Sequence, residues 1–574
     1  MSENAFKCSR LVVAAIDFGT TFSGYAYATH HDLANKPPKI HTPNWYGGSH
    51  ISNKNATILL LNSKQEFVSF GYEAEDAYIE FAAEGKHKDY YFFRRFKMNL
   101  YESENLKRDT MIKDEQGKMM NAIKVFSLCI KYLKDHLMKN LYTKVSDIKD
   151  SDVAWVLTVP AIWNDSSKQF MREAALQAGI QNDSLSIALE PEAASLFCMH
   201  VPVEKEAKFT PFAVGQKYMV VDIGGGTVDI TVHEVVSKGL RELFSASGGA
   251  WGGTRVDAAF DDFLSTVFGK DVFEEFKKNC VEDLVEIRRQ FETKKRNIDP
   301  EKAGKDTITL PAALMEIYKS KKKIDLETGI QKGPLGNKLS ITTNKLRVER
   351  SLMRGWFKES CEKTVDHVKE LLKKDSCKGT STILLVGGFS ESAILQKAFR
   401  DAFPDKRLVI PEEAGLAVLK GAVLYGNNPI TIVSRVAKYS YGIRVFRDFV
   451  EGVHPKEKKE MYGSRIKCKD VFAKHVTKGQ DLVVGEAQSS QKYNKVEAEQ
   501  LSFIFDIFTS PEEDPKFVTD KGCSHIGQLE VDAPKDGKGG GVSVKMIFGG
   551  TELIVHATEE GTGKEKKATF NFLQ

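Results

Sequence analysis

The sequence is short of the features that mark several protein classes. Its 82 Lys and Arg are nearly cancelled by 78 Asp and Glu, leaving a formal charge of +4 over 574 residues. A nucleic-acid groove along the chain needs a clear basic surplus, so no nucleic-acid partner is expected. No window approaches the roughly 18 uncharged apolar residues of a membrane span. The best, Ser184 to Val203, is broken by Glu190 and Glu192. Leu11 to Ile16, which follows Lys7 and Arg10, is too short for a secretory leader and meets Asp17 at once; it reads as a buried strand. The eight cysteines are scattered, with no Cys-x-x-Cys pair and no His cluster at zinc spacing. Reduced thiols, and hence cytoplasm or nucleus, are the expectation. Only 44 Gly and 17 Pro argue against a fibrous or largely disordered chain. What remains, 41% hydrophobic and 28% charged, is ordinary globular composition. The length suits about three to four domains.

Three β-rich runs ending in glycine turns organise the first three-quarters of the chain. The first is Val12 to Thr21, with Asp17-Phe18-Gly19-Thr20-Thr21 at its end, followed by the alternating Phe22 to Tyr27. The second is Tyr218 to Thr227, with Asp222-Ile223-Gly224-Gly225-Gly226-Thr227, followed by Val228 to Val232. Each reads as strand, tight turn, strand, and together they look like one hairpin duplicated. The third, Ile383 to Gly388, leads into Ser390 to Phe399 as strand, glycine turn, helix. Between them, Phe126, Ile130, Leu133, Leu137 and Leu141 recur at helical spacing behind a candidate cap, Asn121. A second helix is expected from about Asn164 to Leu176, stopping at Gly179, after the buried strand Ala154 to Val159. This alternation indicates α/β layers. Phe260 to Met353 reads as helical and charge-rich, with Lys319 to Lys323 a solvated face. Beyond Gly426-Asn427-Asn428-Pro429 every apolar run is short and alternating, which suggests an all-β unit, and Lys535 to Gly541 reads as a hairpin tip.

Glycine turns at strand ends suit phosphate, because backbone N–H groups can face an anion with no side chain in the way. Neither G-x-x-x-x-G-K-[ST] nor G-x-G-x-x-G opening a helix is present, so the case rests on the paired hairpins and on Val386-Gly387-Gly388. Asp17 and Asp222 sit beside the turns, where a carboxylate can hold the water shell of a magnesium ion.

Five segments, in order, resemble the ATPase motifs of the 70-kDa heat-shock chaperones. They are Ile16 to Thr21, Leu157 to Asp165, Glu190-Pro191-Glu192-Ala193-Ala194, Asp222 to Asp229 and Leu385 to Ser390. The resemblance covers about residues 10–425, and the finer match, through Gly71 to Asp76 and Tyr91 to Met98, is to the divergent 12A and 12B branch. It implies an actin-like nucleotide-binding region over 1–429, with lobes of about 10–215 and 216–425, then a reduced, lidless β-sandwich over 430–574.

The resemblance also implies ATP or ADP with Mg²⁺ between the hairpins. Asp17, Glu190, Asp222 and Asp229 would be catalytic, with Asp17 and Asp222 serving the metal through water. Gly19, Thr20, Thr21, Gly224, Gly225, Gly226 and Thr227 would meet the phosphates, and Gly387 and Gly388 the adenosine. Glu292, Lys295 and Arg296 fall near the family's adenine-side helix. The family's catalytic lysine, placed in a Gly-x-Ala-Ala-Lys context, aligns with Glu75, and an adenosine-side arginine is replaced by Glu391. On that alignment a cation is missing beside the transferred phosphoryl group, unless Lys86, Lys88, Arg94, Arg95 or Lys97 supplies it. ATP binding is therefore expected more firmly than turnover. The leading reading is an ATP-binding, chaperone-like protein whose β unit takes unfolded polypeptide or a protein partner. The alternatives are a nucleotide-gated scaffold with negligible hydrolysis and, less favoured, a small-molecule kinase of the same superfamily.

Overall fold

The strand nearest the start, Val12–Phe18, is buried at every position. Such a strand must be covered on both faces, so it belongs in the middle of a sheet flanked by helices. The computed structural model describes residues 10–47, 50–103, 106–200, 212–429, 432–463, 465–495, 500–533, 541–549, 552–560, 563–569 and 573. In it Val12–Phe18 is central to a five-stranded sheet ordered Leu185–Leu189, Val153–Val159, Val12–Phe18, Phe22–Thr29, Asn55–Ala56. It pairs in parallel with Val153–Val159 and antiparallel with Phe22–Thr29.

The same plan recurs around the second glycine turn. Lys217–Ile223 pairs in parallel with Thr382–Val386 and antiparallel with Val228–Val236. Arg407–Val409 lies outside the first of these and Gly239–Gly249 outside the second. The registers correspond: Asp17 stands opposite Gly24, and Asp222 opposite Asp229.

Helices cover both sheets where the periodicity expects them. Ala122–Tyr142 starts at Asn121, whose side chain accepts from the Lys124 amide at 3.2 Å. Asp165–Gln177 starts at Asn164, which caps the Ser167 amide at 2.8 Å, and ends at Gly179 with φ 86°. Two further helices, Glu190–His200 and Ala417–Asn427, share one core with residues of both sheets, among them Val13, Ala15, Val220 and Leu384. They pack so closely that a Cβ at Gly421 would lie 1.7 Å from the Ala193 carbonyl oxygen.

Two expectations are corrected. The charge-rich stretch from Phe260 is not all helix, because Lys305–Thr309, Leu339–Thr342 and Lys345–Glu349 form a three-stranded sheet. Alternation explains it: Leu346 and Val348 face inward while Lys345 and Arg347 face out. Asp481–Val483 is one of the short strands expected beyond Pro429, but it extends the second α/β sheet instead of a C-terminal one. It reaches that sheet through Ile432–Val436, which lies parallel to Gly239–Gly249.

The other described strands beyond Val436 form two sheets. One is ordered Lys459–Tyr462, Arg465–Val476, Ser440–Asp448, Ser502–Ser510, Ser524–Asp532, and the other Ala487–Asn494, Gly541–Gly549, Glu552–Glu559, Glu565–Thr569. Ile443, Ile507, Val544 and Val555 meet in their common core. Of the glycine-rich run expected as a hairpin tip, all but Gly541 lies outside the described residues, as do Ile430 and Thr431. The seven described cysteines are all free. Among the described residues no helix is long and apolar enough to cross a membrane.

Candidate functional site

The two glycine turns face each other across a cavity of about 580 Å³. Its wall holds Asp17, Gly19, Thr20, Thr21, Glu190, Asp222, Gly224, Gly225, Gly226, Thr227, Glu292, Lys295, Arg296, Gly387 and Gly388. Of the residues expected to be catalytic or to hold nucleotide or metal, Asp229 alone is absent from that wall; Glu75 and the candidate cations Lys86, Lys88, Arg94 and Arg95 are absent too.

Backbone geometry explains the glycines. A Cβ on Gly225 would lie 2.1 Å from Thr21 Oγ1, and one on Gly226 would lie 2.5 Å from Thr20 Oγ1. The second turn therefore needs glycine because the first is packed against it, whereas Gly19 is fixed by its own turn, a Cβ there lying 2.2 Å from the Phe22 carbonyl oxygen. The second turn is braced from behind by the Gly253 amide on the Gly224 carbonyl at 3.1 Å and the Thr254 amide on Gly225 at 2.8 Å. Gly387 adopts φ 86°, and a Cβ there would lie 2.3 Å from Asp222 Oδ1. Thr21 Oγ1 is buried with no hydrogen-bond partner, a polar atom left for a ligand to satisfy.

Carboxylates crowd the floor. Asp17 accepts from Thr158 Oγ1 at 2.9 Å and from Lys54 Nζ at 2.6 Å. Burial opposes its ionisation, but Lys54 and Lys97 prevail and hold the carboxyl below its ordinary value. Glu190 accepts from Lys97 Nζ at 2.9 Å, yet burial raises its pKa despite that partner. Asp222 has no such partner; burial, then the negative charges of Glu190, Asp229 and Asp17, push it well above the usual range. Asp229 is 1% exposed and accepts from the amides of Ala161 at 2.6 Å and Ile162 at 3.1 Å. Burial, followed by Glu190, pushes it up to about 7 against those two amides.

These four carboxylates share the electrostatics of one buried region, and only Asp17 and Glu190 are paired with a lysine. Such a site favours an added cation, which would displace protons from the raised groups. No set of three or more metal-ligating side chains converges among the described residues. The chemistry fits a hydrated divalent ion held through its waters and a ligand's phosphates.

The expected loss of a cation is corrected. Glu75 does not face this cavity; it sits in the neighbouring one, bonded to Arg289 Nε at 2.7 Å. Lys97 and Lys54 are the cations on the wall that pair with the floor carboxylates Glu190 and Asp17. Lys97 was one of five candidates by sequence, whereas Lys54 was missed. Nothing marks Lys54 in Ser52-Asn53-Lys54-Asn55 except the fold that brings it 2.6 Å from Asp17.

On the opposite wall Lys295 bridges Asp257 at 2.7 Å and Glu292 at 2.8 Å, and Arg296 bonds Glu292 at 2.8 Å. Burial opposes ionisation of Glu292, but these two cations hold it down at about 2. The Arg296 guanidinium lies 5.3 Å from the Phe22 ring centroid, and Glu391 accepts from the Gly415 amide at 3.0 Å.

Two sheets of matching topology, joined through a shared helical core and closing on paired glycine turns, define an actin-like ATPase fold. A family model described as Hsp70 protein matches residues 85–459. Heat shock 70 kDa protein 12A of Mus musculus is 35% identical, the match covering 98% of this chain and 92% of that protein. Heat shock 70 kDa protein 12B of Homo sapiens is 32% identical over 99% and 92%. Chaperone protein DnaK of Thermotoga neapolitana is 27% identical over 53% of this chain and 47% of its own length. The chain belongs to the Hsp70 family of ATP-binding proteins, related to the 12A and 12B proteins and to DnaK.

Proposed function

We propose that the protein binds ATP and ADP with Mg²⁺ in the cavity between the two glycine turns, hydrolyses ATP slowly, and couples nucleotide state to its C-terminal strands. The observation that carries this reading is the convergence of both turns with Asp17, Glu190, Asp222, Lys54 and Lys97 on one wall. The turn amides and the hydroxyls of Thr20 and Thr21 hold the phosphates. Asp17 and Asp222 orient the waters of the metal, which when bound neutralises phosphate charge and polarises the reacting phosphorus. Glu190 positions the attacking water, Asp229 acts from behind the wall through its charge on Asp222 and the coupling with Glu190, and Lys97 faces the charge that develops on the transferred group. Gly387 and Gly388 border the adenosine, with Glu292, Lys295 and Arg296 on its other side.

Lys97 weakens the argument for a scaffold without hydrolysis, which rested on Glu75 standing where the cation should be and on the expected lack of a helical lid. Coupling has a covalent and a polar route. Ile432–Val436 extends the second sheet, and Arg435 makes a bidentate pair with buried Glu192 at 2.7 and 2.5 Å. Lys438 Nζ bonds the Ile162 carbonyl at 2.7 Å, and the Ile162 amide bonds Asp229 at 3.1 Å. A shift of Asp229 on nucleotide exchange would thus be felt at Lys438. We propose further that the C-terminal strands bind exposed polypeptide, Met461, Ile466 and Ile504 being apolar side chains left at the surface.

Calorimetry with ATP and Mg²⁺, then single-turnover hydrolysis, tests the reading. Binding with turnover slowed by about a hundredfold or more in Lys97→Ala supports it; binding without turnover in the wild type returns the scaffold. Peptide binding is tested with a labelled unfolded peptide, whose release rate should change between ATP and ADP.

A further inference from the structure

Beside the nucleotide cavity lies a second one, of about 730 Å³, a volume ordinary for a small-molecule site. It lies between the Tyr72–Ala83 helix and Tyr91–Arg94 strand on one side and the Thr254–Phe268 and Val281–Arg296 helices on the other. Five arginines reach its wall, and four have carboxylate partners. Arg289 crosses to Glu75 at 2.7 Å and Asp76 at 2.6 Å, and Arg95 crosses to Asp257 at 2.7 Å. Arg288 bonds Asp261 at 2.6 Å and Arg296 bonds Glu292 at 2.8 Å.

Arg94 is the exception. Among the described residues it has no ion pair and no hydrogen bond, although its side chain is largely enclosed. Burial, then the adjacent Arg95, lowers its pKa, and Glu115 and Glu75 only partly oppose them. The Arg94 donors are therefore left open to whatever enters the cavity. The next residue adds two independent anomalies. Arg95 has φ 55°, a left-handed backbone unusual for a long side chain, and its Nε is buried without an acceptor. Such strain gathers at ligand clamps.

We propose that this second cavity binds a small phosphate monoester with an apolar or aromatic body. The phosphate sits on the Arg94 fork, whose planar donors match phosphate oxygens in pairs. The body lies against Phe22, Tyr72 and Val285, which share the wall. Because the other four arginines are already neutralised, one unmatched guanidinium suits one phosphate group better than a polyphosphate chain. The two cavities share Thr20 to Phe22, Ile51, Ser52, Glu292 and Arg296, but Arg94 lines only the second, so a phosphate on Arg94 sits beside a bound nucleotide and not in its place.

The test titrates phenyl phosphate into the full-length chain saturated with Mg²⁺ and a non-hydrolysable ATP analogue, which fills the phosphate positions of the first cavity. The expected result is saturable binding that weakens by about tenfold or more in Arg94→Ala and by less in Arg94→Lys, each variant keeping the wild-type circular dichroism. Inorganic phosphate should bind at least about tenfold more weakly than phenyl phosphate. No saturable binding, equal affinity in wild type and a folded Arg94 variant, or equal affinity for inorganic phosphate would overturn the proposal. If the analogue itself does not bind, the nucleotide reading falls, and the Arg94 dependence of phenyl phosphate binding is still scored.

Discussion

Lys97 donates to Glu190 at 2.9 Å, joining residues 93 positions apart in the chain and leaving the lysine only 4% exposed. The pair lies on the wall of the nucleotide cavity, where a fixed cation can meet charge as it develops on a phosphoryl group. Lys97→Ala should lower the single-turnover rate by about 10²- to 10³-fold. Its ATP affinity should change much less, because the lysine's contribution grows in the transition state. Rapid-quench kinetics with separate equilibrium binding checks both halves.

Stability should depend on pH through Asp229. Its folded pKa, about 7, lies above the ordinary 3.8, so the folded chain holds the proton more tightly than the unfolded one. The associated stability is complete below the unfolded value and is lost as pH rises from there through about 7, with an upper bound on the order of 4 kcal/mol. Buried Glu242, pushed up to about 8, acts in the same direction. The difference between wild type and Asp229→Asn isolates the aspartate. Without nucleotide or metal, melting temperature should fall between pH 5.5 and 7.5, and the fall should be shallower in the variant.

The turn-against-turn contact predicts that Gly225→Ala abolishes the thermal stabilisation given by Mg²⁺ and ADP. Its Cβ would lie 2.1 Å from Thr21 Oγ1, so the two phosphate-facing turns must move apart. Gly85→Ala is the control, since a Cβ there meets nothing within 4 Å. It should keep the nucleotide response and suffer only the mild cost of its left-handed backbone, φ 72°.

Glu192, 1% exposed, relies on Arg435 for its charge balance. Arg435→Ala should destabilise the chain by about 3–5 kcal/mol, because it strands a buried carboxylate. Replacing both residues with Met should recover most of that loss. Calorimetric unfolding of the two single variants and the double variant measures the pair.

Much of the architecture was legible because the chain's local signals agree. Unbroken apolar runs marked Leu11 to Ile16 and Tyr218 to Val221 as strands, and the Asn164 and Gly179 signals bounded their helix nearly to the residue. The same turns carried most of the wall of the site. Sequence failed where placement depends on contacts between distant segments. Lys54 sits in an unremarkable turn, and Lys97 was one cation among five. Glu75 was assigned by motif alignment, yet Arg289, 214 positions away, draws it into the neighbouring cavity. Asp481–Val483 shows the same limit in a sheet: its alternation identified a strand but could not choose between two edges.

The central claim is that the two turns form a magnesium-dependent nucleotide site, and calorimetric titration of the wild-type chain with ATP in the presence and absence of Mg²⁺ tests it most directly. The account predicts one saturable site per chain, with affinity at least about tenfold weaker when Mg²⁺ is removed. No saturable heat at millimolar ATP with Mg²⁺ would contradict it.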